Sequence, residues 1–73
     1  MARTFRIILT PEEEGGFSVS VPSLPGCYTQ GESIEEAISM AKEAISLYVD
    51  CLEAEGEQVP DDSKSLEYSV VLT

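Results

Sequence analysis

The chain has 73 residues, 42% of them hydrophobic, and sets fourteen acidic side chains against four basic ones, a formal net charge of -10. So acidic a surface repels nucleic acid and favours basic partners, while the regular apolar periodicity excludes a disordered acidic tail. One small domain, residues 1–73, is expected; a chain of this size buries only about 60% of its unfolded surface, so oligomerisation is a natural source of added stability.

Residues 4–10 alternate as a first strand, with Phe5, Ile7 and Leu9 on one face and Arg6, Ile8 and Thr10 on the other. Pro11 is expected to stop it, because proline brings no N–H to a ladder. Glu12, Glu13, Glu14, Gly15 and Gly16 then form a hairpin loop, in which the glycines supply positive φ. Residues 17–21 alternate cleanly, Phe17, Val19 and Val21 facing a core and the two serines facing out. The two strands are expected to pair antiparallel.

Pro22, Ser23, Leu24, Pro25 and Gly26 make an irregular connection, and residues 27–30 read as a short third strand bounded by Gly26 and Gly31. Ser33 followed by Glu36 is a capping box, each side chain serving the other residue's backbone amide. Glu32, Glu35 and Glu36 add negative charge at the positive end of the helix dipole. The apolar stripe of the helix is Ile34, Ala37, Ile38, Ala41, Ile45, Tyr48 and Leu52. Ala44, Leu47, Val49 and Cys51 widen it beyond what one packing surface needs, which points to a second contact. Gly56 is the expected C-cap residue, and Pro60 prevents the helix from resuming. After a polar linker, residues 66–72 alternate again, with Leu66, Tyr68, Val70 and Leu72 on one face, and read as a fourth strand.

The order β-β-β-α-β predicts an α+β fold: a small, mainly antiparallel sheet with one long helix packed on a face. The helix could then act as a right-handed crossover to the last strand.

The stretch from Glu13 to Ala37 closely resembles the HicB-like family, the antitoxins of HicA–HicB toxin–antitoxin pairs. Gly15, Gly16, Phe17, Pro22, Leu24, Pro25, Gly26, Cys27, Gly31, Glu35, Glu36 and Ala37 carry the match, and Ala41 to Ile45 with Tyr48 extend it. The resemblance covers roughly residues 3–60. It implies a partial ribonuclease H fold and a role in neutralising a small, RNA-cleaving HicA-like toxin. A toxin that holds RNA must be basic, and a partner carrying -10 complements it. Many members of the family carry a further operator-binding segment; no recognition helix is read here, so direct nucleic-acid binding is not expected.

Catalysis is not expected either. Enzymes of the ribonuclease H fold hold metals on first-strand carboxylates, and residues 4–10 carry none. Glu43, Asp50 and Glu67 read as solvated charges. The chain has no histidine, Cys27 has no evident base beside it, and the Cys27–Cys51 pair has no metal-ligand spacing. No cofactor and no metal are expected, and both cysteines read as free thiols of a cytoplasmic protein. No leader core and no membrane-length apolar run are present in the sequence.

The expected function is therefore protein binding: an antitoxin that covers the RNA-binding or catalytic face of a HicA-like toxin. Glu12, Glu13, Glu14, Glu32, Glu35 and Glu36 are the candidate contacts, from charge and position alone. The alternative is a standalone oligomerising scaffold or regulatory domain with no toxin partner. A homodimer or higher oligomer is expected under both readings, because free strand edges and a broad apolar helix favour self-association.

Overall fold

A computed structural model describes residues 3–72. Its elements are β1 (Ile8–Pro11), β2 (Phe17–Ser20), β3 (Tyr28–Gly31) and α1 (Ile34–Ala54). The strands form one antiparallel sheet in the order β1-β2-β3, and α1 lies across one face of it, chiefly against β3 and β2. The α+β class read from the sequence is the class found.

Pro11 does not stop the first strand; it is the last residue of β1, opposite Phe17. The register explains why. The Glu12 amide donates to the Gly16 carbonyl at 3.0 Å, so the next pair, Pro11 with Phe17, falls at a non-hydrogen-bonded position and needs no donor from proline. By the same alternation Leu9 turns its N–H and C=O away from β2, toward an open edge. The turn has Gly15 at φ 103° and a 3.0 Å bond from its amide to the Glu12 carbonyl, the three-residue loop closed by a left-handed glycine.

Two adjoining clusters make the core. Val19, Ala37 and Ala41 are buried with Ile7, Leu9 and Phe17 against them. Val21, Leu24 and Cys27 form the second, under Phe5, Ala44, Ile45, Tyr48 and Leu52. Gly31 sets the helix on the sheet. A Cβ there would lie 2.5 Å from the Ala37 nitrogen and 2.7 Å from its Cα, so only glycine lets the first helical turn come down on β3. Tyr48 fastens the other end, its hydroxyl donating to the Pro25 carbonyl at 2.7 Å.

The helix caps follow expectation with one change. Ser33 Oγ accepts from the Glu36 amide at 3.1 Å, but Glu36 Oε1 accepts from the amide of Glu32, at 3.2 Å, rather than from that of Ser33. At the other end Gly56 has φ 73°, and the Glu57 amide donates to the Leu52 carbonyl at 2.9 Å, a Schellman closure. The apolar stripe is partly corrected. Val49 is buried, whereas Ile34 and Ile38 are exposed; α1 packs on β3 and β2, and the buried residues of its first turns are Ala37 and Ala41.

Among the described residues the fourth strand is not formed. Residues 66–72 carry no ladder, and Leu66, Tyr68, Val70, Val71 and Leu72 are between 78% and 89% exposed. The crossover expected of α1 therefore has no strand to reach. A turn, in which the Ser65 amide donates to the Asp62 carbonyl at 3.0 Å, ends the contact of this segment with the domain.

Candidate functional site

Of the six candidate glutamates, the fold gathers five along one rim. The hairpin puts Gly16 against the loop that enters α1: a Cβ on Gly16 would stand 3.0 Å from the Gly31 carbonyl oxygen and 3.7 Å from Glu32 Oε2. Glu12, Glu32 and Glu36 thereby share one cleft with Gln30 and Met40. Glu13 and Glu14 line a shallow depression beside it, together with Glu12 and Gln30. Glu35 stands outside both, exposed in the first turn of the helix. All six are exposed, and none takes part in an ion pair among the described residues. The pair found there, Arg3 with Glu53 at 3.4 Å, joins half-exposed side chains at the opposite end of the helix, where water and salt reduce it to little.

Five carboxylates on one edge, uncompensated, make a region of negative potential. Glu36 has a second task there. Its carboxylate holds the Glu32 amide, so the rim and the helix start are ordered together. The chemistry available is attraction and hydrogen-bond acceptance toward cationic groups. Among the described residues no three His, Cys, Asp or Glu side chains are placed to hold a metal ion. Cys27 is buried, and burial pushes its thiol up from the ordinary value, away from the reactive thiolate. Cys51 is exposed on α1. No helix among the described residues is long and apolar enough to cross a membrane.

Sequence reasoning missed two features. The first is a groove between Gly26–Tyr28 and the second half of α1, lined by Tyr28, Leu47, Tyr48 and Cys51. Tyr28 is a sheet residue, the first of β3, and is 73% exposed, whereas Cys27 just before it is buried. The second is a polar knot around Asp62. Its carboxylate accepts from the Arg6 amide at 2.9 Å and from Ser23 Oγ at 3.0 Å, and its amide donates to the Thr4 carbonyl at 2.7 Å. The Arg6 guanidinium also donates to the Ser65 carbonyl. The run Pro60, Asp61, Asp62, Ser63 carried a turn signal, but nothing in it told which distant amides the carboxylates would hold.

Fold and surface define a class: a small α+β domain with a packed helix on one sheet face and an acidic rim at one end. Comparison with known proteins narrows it. Residues 5–71 match the family described as the HicB-like antitoxin of bacterial toxin–antitoxin systems, and the chain belongs to that family. A UPF0150 protein of Thermoplasma acidophilum is 42% identical over 59 residues, covering 81% of this chain and 86% of its own. A UPF0150 protein of Synechocystis is 41% identical over 58 residues, covering 80% and 73%. Antitoxin HicB of Escherichia coli K12 is 38% identical over 56 residues, which is 77% of this chain but 41% of that longer protein.

Proposed function

We propose that this protein is an antitoxin that neutralises a small, basic, RNA-cleaving HicA-like toxin by covering its RNA-binding or catalytic face. Membership of the antitoxin family supports the role. The observation that carries the mode of binding is the convergence of the hairpin tip and the helix start on one acidic rim. A surface that must hold RNA presents cationic side chains, and carboxylates arrayed on a rigid edge compete for them. The sheet and capped helix hold the rim in place, so little order has to be gained on binding. The protein needs no catalysis for this: occupation of the toxin's face suffices.

The test is association with a HicA-like protein at low and moderate salt. Replacing Glu12, Glu13, Glu14, Glu32, Glu35 and Glu36 together by glutamine keeps side-chain size and the capping acceptor at position 36. Association is expected to slow roughly tenfold or more at low salt, with RNA cleavage restored in proportion. An unchanged rate would remove the electrostatic mechanism. Failure of the unaltered protein to bind at all would favour the standalone reading.

A further inference from the structure

We propose that the groove between residues 26–28 and the second half of α1 is a docking site for a cationic amphipathic helix of another protein. The docked helix carries a bulky apolar side chain at its centre and lysine or arginine toward both ends. This surface lies apart from the acidic rim, and the proposal does not rest on the toxin reading. Tyr28 on one wall is 73% exposed and Leu47 on the other 62%, with Cys51 exposed one turn beyond Leu47. An apolar trough that is open to water and backed by packed structure is the form of site in which an amphipathic helix is held.

The helix wall follows from spacing. Leu47, Cys51 and Glu55 recur at intervals of four, so they rise along one side of α1, about 12 Å from first to last. The facing wall is fastened to it. Cys27 is packed under Tyr48 and Leu52, and the Tyr48 hydroxyl donates to the Pro25 carbonyl at 2.7 Å, which holds the loop at a set distance from the helix. Gly26 at the mouth has no side chain, and nothing lies within 4 Å of where a Cβ would stand. The site is therefore preformed and clear, and a partner gains little order in filling it.

Charge decides the occupant. Glu55 and Glu57 line one end of the groove, and Glu43, exposed one turn before Leu47, stands toward the other. Glu43 and Glu55 are about 18 Å apart along the axis, with the apolar strip between them. Among the described residues no basic side chain lines this groove; Arg3 and Lys42 line the one on the other flank of α1. An apolar strip bounded by carboxylates selects an apolar segment bounded by cations, and a helix of about three turns places them so. A second copy does not fit, since it brings a charge of -10 against the same carboxylates. Nucleic acid is repelled for the same reason.

The experiment titrates the full chain with a labelled helical peptide of about 18 residues, leucines on one face, a central tryptophan and lysines toward both ends. The same peptide with glutamate for lysine is the control. Micromolar binding is expected by fluorescence anisotropy, and none for the control peptide. Leu47→Ser, and separately Glu43→Gln with Glu55→Gln and Glu57→Gln, should each weaken it at least roughly tenfold. All four side chains are exposed, so these variants keep their fold, which circular dichroism checks. Exchange of the six rim glutamates for glutamine should leave peptide binding unchanged, which separates this site from the rim. The bound peptide should also slow modification of the Cys51 thiol at least roughly tenfold. No binding, binding indifferent to either groove variant, binding lost with the rim variant, or a Cys51 that reacts in the complex as fast as in the free protein would each overturn the proposal.

Discussion

Gly31→Ala tests the central packing contact of the fold. Gly31 has no positive φ, so alanine suits its backbone, and the whole cost must come from space. The added methyl would meet the Ala37 nitrogen at 2.5 Å, the Ala37 Cα at 2.7 Å and the Glu36 carbonyl carbon at 2.9 Å. These are backbone atoms of a hydrogen-bonded helical turn, and the Ala37 amide donates to the Ser33 carbonyl at 2.8 Å, so no side chain can swing aside. Relief requires the helix start to lift by roughly an ångström, which opens the seam where Ala37 and Ala41 rest on Val19. Overpacking of this kind costs about 3 kcal/mol. A chain of this length has about 4–11 kcal/mol in all, so the loss is a large share, a fall in Tm of about 20 °C. Urea and thermal unfolding by far-ultraviolet circular dichroism measure it. Gly26→Ala is the contrast: φ is 80° and nothing lies within 4 Å of the added methyl, so its cost is conformational alone, about 1–2 kcal/mol. If Gly31→Ala costs under about 1 kcal/mol, or no more than Gly26→Ala, the close approach does not set the helix on the sheet.

Two further expectations concern titratable groups. Asp61 Oδ1 accepts from the Ser63 amide at 2.7 Å, and that bond, helped by the Ser63 hydroxyl and the Thr4 amide, holds its pKa below the ordinary value. A depressed folded-state pKa gives stability that is complete above the unfolded value, about 3.9, and is lost as pH falls through the folded one. Asp61→Asn should therefore flatten the acid limb of stability against pH below about pH 4, measured as urea midpoints; an acid limb as steep as that of the unaltered protein would refute the assignment. The thiols should separate in the native state: Cys51 reacts at once with a disulfide reagent, and Cys27, buried and held protonated, reacts at least about tenfold more slowly until urea is added. Equal rates in native buffer would show that the loop over Cys27 opens freely.

Local rules determined the elements. Alternation made Phe17 to Ser20 a strand, paired glycines made the hairpin, Ser33 and Glu36 started the helix, and Gly56 ended it, because each depends on residues within a few positions. Tertiary structure decided what depends on distance along the chain. Pro11 belongs to β1 because the register with β2 asks nothing of its nitrogen, and register is a property of two strands. Ile34 and Ile38 are exposed although they fit the stripe, because Ala37 and Ala41 are the residues of the first turns that the packing buries. The acidic rim was legible as charge but not as a place; Gly16 against Gly31 is what brings Glu12 beside Glu32 and Glu36. Residues 66–72 have the pattern of a strand, yet a pattern specifies a face and not a partner. The turn at Asp62 takes that segment away from its own sheet, and an edge is satisfied only where a neighbour can reach it.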